Sequence, residues 1–70
     1  MASHLLVQFG KRVRHERERQ GISQERLGEL ASLHRTYIGM IERAEKNITL
    51  LNIGKIAKAL NVPLRNLVDF

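Results

Sequence analysis

Arg35, Thr36 and Tyr37 are the densest run of recognition chemistry in this 70-residue chain. An arginine carries a planar fork of N–H donors that meets two neighbouring acceptors at once, the pattern that guanine O6 and N7 present. Threonine adds a hydroxyl and a methyl, and tyrosine adds a hydroxyl within reach of a phosphate or a ring that stacks on a sugar. The other candidate chemistries fail on spacing. Glu16 and Glu18 lie two apart in a helical stretch, so they point to different sides and make no acid/base pair. His4, His15 and His34 are too scattered for a metal site and suit surface or capping roles. No Ser/His/Asp set, glycine-rich phosphate loop or metal motif is present. The residues are those of a binding protein, and no catalysis, cofactor or metal is expected.

A helix start has to aim that triplet, and the surrounding pattern supplies one. Leu6, Phe9 and Val13 fall on one face of a helix over about 5–19, with Lys11, Arg12, Arg14, His15 and Glu18 on a solvated face. Gly21 ends it near Gln20, because glycine reaches the left-handed conformation without a Cβ penalty. Ser23 is placed to cap a second helix over about 24–31, with Glu25 at the positive end of its dipole and Ile22 and Leu27 at staple spacing. Leu27, Leu30 and Ala31 continue the buried stripe. Ser32 and Leu33 break the pattern. A third helix over about 35–43 then begins at once, its apolar positions Tyr37, Ile38 and Ile41. Two short helices joined by about three residues cross steeply.

After a polar connection, Ala44 to Asn47, Thr49 can cap a fourth helix whose Leu50, Ile53, Ala57 and Leu60 recur at i, i+3, i+7 and i+10. Pro63 suits the first position of a short fifth helix over about 63–70, with Leu64, Leu67, Val68 and Phe70. No hairpin signal, repeat or low-complexity stretch appears. The expected fold is all-α: five helices around one core, a single domain over 1–70.

Composition bounds the partners. One core in a chain this short leaves only a few kcal/mol of net stability, so tight packing or a second subunit is needed. The lack of cysteine excludes disulfides and thiolate metal sites and fits a cytoplasmic location. No apolar run approaches the roughly 18 residues of a membrane span, and nothing resembles a cleaved signal. Twelve Lys and Arg against seven Asp and Glu give +5 and point to a polyanion. The charge is dispersed, +3 over 1–20, neutral over 21–47 and +2 over 48–70, as in a folded domain. A basic helix lying on an anionic membrane is a poorer reading, since the first helix lacks the broad apolar or Trp-rich face such helices show.

A capped short helix, a three-residue turn and a second short helix over about 23–43, supported by three more, is the helix-turn-helix arrangement. The major groove, about 12 Å wide, admits one such helix and lets its N-terminal side chains reach base edges. The first helix of the motif, opening at Gln24, presents free N–H groups suited to a phosphate. From Phe9 to Phe70 the chain resembles the lambda-repressor-like, Xre-type helix-turn-helix family. The match is carried by Phe9-Gly10-Lys11-Arg12-Val13-Arg14, by Gly21-Ile22-Ser23-Gln24-Glu25-Arg26-Leu27, by Arg35-Thr36-Tyr37-Ile38 and by Ile41-Glu42-Arg43. Asn47-Ile48-Thr49-Leu50 and Ile56-Ala57-Lys58-Ala59-Leu60-Asn61-Val62-Pro63 complete it. Within that family, His34 to Ile38 followed by Asn47 to Leu50 is most similar to the controller proteins of restriction–modification systems.

The resemblance implies a compact transcription regulator that binds double-stranded DNA as a homodimer on a palindromic operator, with RNA polymerase as a further partner. It implies no membrane or small-molecule ligand. Arg35, Thr36 and Met40 would face the bases, and Gln24, Tyr37, Lys46 and Asn47 the DNA backbone. Arg17 and Glu42 would form a structural ion pair between the first and third helices. Leu64, Leu67 and Phe70 would form the dimer contact. Three positions depart from the family pattern, all away from the expected DNA face. Gly28 stands where alanine is usual, giving up roughly 1 kcal/mol of helix propensity. Ala44 replaces the glycine after the recognition helix, and Glu16 stands where leucine is common. Plainer readings stand beside these: Arg35 as a solvated helix residue, Tyr37 as a core-edge aromatic, Met40 as a gap-filler. An antitoxin-like protein-interaction module with the same fold is the alternative function.

Overall fold

Four side chains set the helix starts. The computed structural model describes residues 3–70 and contains α1 (His4–Arg19), α2 (Gln24–Ala31), α3 (Arg35–Glu42), α4 (Leu50–Ala59) and α5 (Arg65–Val68), with no strand among the described residues. Ser3 Oγ accepts from the Leu6 amide, Ser23 Oγ from Arg26, His34 Nδ1 from Thr36 and Thr49 Oγ1 from Asn52, at 2.9–3.3 Å. Each bond satisfies one of the orphan donors at a helix N-terminus. The first four helices also stop alike, on a left-handed residue just beyond the last turn. Gly21 (φ 69°) follows α1, Ser32 (φ 58°) α2, Ala44 (φ 60°) α3 and Asn61 (φ 56°) α4. Ser32 and Ala44 hold that conformation against a Cβ penalty of about 1–2 kcal/mol.

One core joins all five helices. Phe9 and Val13 of α1, Leu27 and Ala31 of α2, Ile38 and Ile41 of α3, Ile56 and Ala57 of α4 with Leu60 at its cap, and Leu67 of α5 are buried together. Ile22, Leu33, Tyr37, Ile48, Ile53 and Val62 pack around them. Two residues expected in the buried stripes lie outside. Leu30 is exposed because Gly28 shares the inner face with Leu27 and Ala31. Leu50 is 74% exposed although it shares a face with the buried Ala57, because it is the first residue of α4, two turns before the buried Ile56 and Ala57.

Close backbone approach fixes how α3 sits. A Cβ on Gly10 would fall 2.5 Å from the Ile41 carbonyl oxygen and 2.9 Å from that of Glu42, so glycine lets α1 touch α3. Gly28 does the same for α2, where a Cβ would run into the Leu33 carbonyl. The departure from alanine at this position therefore serves the tight α2–α3 crossing. Gln20 Nε2 donates to the Leu60 carbonyl at 2.7 Å, joining the ends of α1 and α4.

The C-terminal helix is shorter than expected. Pro63 precedes it, its carbonyl accepting from the Asn66 amide at 2.9 Å. Arg12, expected on the solvated face of α1, instead holds this segment. Its Nη1 donates to the Asn66 carbonyl at 2.6 Å and pairs with Asp69, and its guanidinium lies 5.9 Å from the Phe70 ring centroid. The Arg12 bond holds the Asp69 carboxyl below its ordinary range. No described helix is long and apolar enough to cross a membrane.

Candidate nucleic-acid interface

The connection between α2 and α3 is three residues, and its backbone bonds fold it onto α2. The amides of Ser32 and Leu33 donate to the carbonyls of Glu29 (3.3 Å) and Gly28 (2.9 Å). His34 then turns extended and caps α3. Burial divides α3 cleanly: Ile38, Gly39 and Ile41 face the core, Arg35 and Thr36 are exposed, and Tyr37 and Met40 are half-buried. The first turn of α3 thus presents Arg35 and Thr36 outward, with Met40 one turn further on. Lys46 and Asn47 are exposed in the segment after α3.

Tyr37 stands at the edge of the core. Its ring packs against the core. Its hydroxyl accepts from Asn52 Nδ2 of α4 at 3.1 Å, which leaves its own O–H free to donate.

Behind this surface lies a part-buried polar network. Arg17 Nε donates to Glu42 Oε2 at 2.7 Å and Arg17 Nη2 to Glu42 Oε1 at 3.1 Å, with the side chains only 12% and 3% exposed. Arg17 also donates to the Ile22 carbonyl at 2.9 Å. The Glu42 hydrogen bond, foremost, raises the guanidinium above its ordinary pKa. Gln24 joins the same carboxylate, donating from Nε2 to Glu42 Oε1 at 3.1 Å. The amide expected at a phosphate is therefore half-buried, with one N–H committed to Glu42. Its second N–H is what remains for a ligand.

The exposed arginines of the motif are charge-compensated. Arg35 Nη1 donates to Glu25 Oε2 at 3.0 Å, Arg26 pairs with Glu29 at 3.2 Å and Arg43 with Glu45 at 3.0 Å. No cluster of metal-binding side chains occurs among the described residues. Sequence reasoning did not find Glu25 as the partner of Arg35, nor Asn52 as that of Tyr37. Both pairs join different helices, so no local spacing rule links them. The His34 cap was legible in principle, because a side-chain acceptor directly before a new apolar period marks a helix start.

Of the residues expected at the dimer contact, only Leu67 needs correction. Leu67 is fully buried in its own core, whereas Phe70, with Arg12 over one side of its ring, stays 45% exposed. Leu64 remains 41% exposed, and it adjoins Leu50, Leu51 and Gly54 in an apolar depression flanked by Lys55 and Lys58. Exposed apolar side chains thus lie on α4, at Leu50 and Leu51, and on the C-terminal segment, at Leu64, Val68 and Phe70.

Known proteins share this architecture. The sequence model of the helix-turn-helix family matches residues 13–67. Control protein C.BamHI of Bacillus amyloliquefaciens is 45% identical over 71 residues, aligned across 100% of this chain and 88% of its own length. Control protein C.SmaI of Serratia marcescens is 47% identical over 60 residues, covering 86% of this chain and 71% of that protein. The crystal structure of the restriction-modification controller protein C.AhdI from Aeromonas hydrophila superposes with a TM-score of 0.87 at 47% identity, over 89% of this chain and 94% of that one. With its motif at α2 and α3 and its likeness along nearly the whole length, this chain belongs to the Xre-type helix-turn-helix family of DNA-binding transcription regulators.

Proposed function

We propose that the chain is a single-domain controller that binds a palindromic operator as a homodimer and regulates restriction–modification genes. The observation that carries the reading is the first turn of α3, where Arg35 and Thr36 stand exposed on a helix anchored from behind by Arg17 and Glu42. A rigid mount matters because base readout depends on holding donors in register with acceptors on the groove floor. Arg35, Thr36 and Met40 read bases. Tyr37, Lys46, Asn47 and the remaining N–H of Gln24 meet the sugar–phosphate backbone. The similarity to control proteins of restriction–modification systems supports the genetic role.

The second subunit docks on the face formed by Leu50, Leu51 and Leu64. Leu50 and Leu51, 74% and 71% exposed, adjoin Leu64 in one apolar depression. A two-fold contact there buries the same patch on both subunits. With a longest dimension of 28 Å per subunit, such a dimer can set its α3 helices one DNA turn apart, about 34 Å.

The test is selection of bound duplexes from a random pool, followed by titration of variants on the selected operator and its single-base changes at one salt concentration. Arg35→Ala is expected to lose about 1–3 kcal/mol per half-site and to relax preference at one base position. Gln24→Ala weakens specific and random DNA by similar factors. Equal loss on all sequences for Arg35→Ala would make Arg35 a backbone contact and leave base reading to Thr36 and Met40. Sedimentation of Leu51→Ser as a monomer where the native chain is a dimer checks the interface. A native monomer at high micromolar concentration, with and without DNA, sinks it.

A further inference from the structure

A carboxylate on a DNA-facing surface works against binding, and Glu25 is such a carboxylate. It lies in the first turn of α2 and accepts from Arg35 Nη1 in the first turn of α3 at 3.0 Å. The pair does not hold the fold together. Both side chains are about two-thirds exposed, 64% for Arg35 and 63% for Glu25, and ion pairs so exposed add little to stability. Its position sets it apart, because it joins the two helix starts that form the motif. The bond is also single. Nε and Nη2 of Arg35, the edge that fits guanine O6 and N7, make no bond among the described residues.

The surroundings strengthen the point. Residues 21–47 are net neutral within a +5 chain, and Arg26 and Arg43 are matched by Glu29 and Glu45. General attraction between these arginines and phosphates is therefore muted where the bases are to be read.

Accepting that Arg35 reads a base, we infer that Glu25 is a specificity-determining residue that acts through Arg35. On guanine, Arg35 offers its Nε–Nη2 edge while Nη1 stays on the carboxylate. To neutralise a phosphate instead, Arg35 gives up Glu25 and leaves that charge unpaired beside the polyanion. Where no guanine is offered, the arginine stays with Glu25 and adds nothing. Discrimination is a difference of affinities, and here it comes from lowering the wrong one.

Glu25→Gln keeps the shape and removes the charge, and only a small fall in melting temperature is expected, from the charge lost at the start of α2. The experiment titrates the full chain on its selected operator and on a scrambled duplex over a range of salt. Glu25→Gln is expected to tighten the scrambled duplex about five- to tenfold and the operator less than about twofold. The salt slope on scrambled DNA steepens by about one phosphate, as Arg35 becomes free to neutralise one. Glu29→Gln makes the same charge change on the same helix but beside Arg26. It shifts both duplexes together and keeps their ratio. In an Arg35→Ala background, Glu25→Gln leaves the ratio unchanged. An equal shift of both duplexes by Glu25→Gln, or the same fall in ratio from Glu29→Gln, overturns the inference alone. A native chain with no preference for any duplex overturns the proposed function and this inference with it.

Discussion

Arg17 grips Glu42 with two parallel bonds across the α1–α3 contact, one at 2.7 Å and one at 3.1 Å, and Gln24 of α2 closes on the same carboxylate. Three helices therefore meet at one carboxyl group placed on the last turn of α3. Because both charges are nearly out of water, removing one strands the other. Arg17→Ala and Glu42→Ala are each expected to cost about 3 kcal/mol in urea or thermal melts. The double variant is expected to lose much less than the two losses added together. Additive losses would show the two groups to be uncoupled.

Two single substitutions are expected to move stability in opposite directions for backbone reasons. Gly10→Ala places a methyl 2.5 Å from the Ile41 carbonyl oxygen, so α1 and α3 must part, at a cost of about 2–3 kcal/mol. Ser32→Gly relieves a left-handed serine that lies exposed at the α2 terminus. After the entropy that glycine adds to the unfolded chain, about 0.5–1 kcal/mol of gain is expected. Melts at one fixed protein concentration compare all three chains. A stabilised Gly10→Ala or a destabilised Ser32→Gly would refute the corresponding account.

The C-terminal segment carries an acid dependence of known sign. Asp69 is lowered from its ordinary value mainly by the Arg12 hydrogen bond. A depressed carboxyl stabilises the folded form above its unfolded pKa, and that contribution disappears as pH falls through the folded value. The Arg12–Asp69 pair is thus intact at neutral pH and is lost only in acid below the ordinary aspartate range, whereas the Arg12 bond to the Asn66 carbonyl involves no titrating group. An NMR titration of the Asp69 carboxyl is expected to show a midpoint below the ordinary one, returning to it in Arg12→Ala. An ordinary midpoint in the native chain would mean that Arg12 does not hold Asp69.

How much of this was legible depended on whether a feature is local. Helix starts at Ser23 and Thr49 and the stop at Gly21 follow from short-range chemistry, and they stand where the sequence placed them. The stripes read for α2 and α4 went astray at Leu30 and Leu50, because a periodic pattern says neither where on the circumference the core is centred nor how far along the axis it reaches. The close crossing that demands Gly28 is tertiary, so the sequence alone made that residue look like a flaw. For the same reason Leu67 read as an interface residue: nothing in a terminal apolar run tells whether its own domain has room for it. Arg35 and Thr36 are exposed on α3 and Met40 is half-buried a turn later, whereas Glu25 came into view only once α2 and α3 were packed together.

Tyr37 offers the sharpest separation of backbone contact from base reading. Its hydroxyl accepts from Asn52, so its own hydrogen has one direction left open, which in the proposed complex meets a phosphate oxygen. Tyr37→Phe keeps the packed ring and removes only that donor. The expected loss is about 1.5–3 kcal/mol for a hydrogen bond to a charged group, the same on operator and scrambled duplex. Folding stability should change by about 1 kcal/mol, as Asn52 loses its acceptor. Asn52→Ala frees the hydroxyl to rotate and is expected to weaken DNA binding less than Tyr37→Phe, again on all sequences alike. The salt dependence distinguishes this contact from a cation. Lys46→Ala should lower the slope of log affinity against log salt by about one, whereas Tyr37→Phe leaves it unchanged because no charge is removed. Titrations of the three variants on both duplexes over one salt series give all of these numbers together. Loss confined to a single base position in Tyr37→Phe would make the tyrosine a base reader and move it from the backbone group to the group of Arg35.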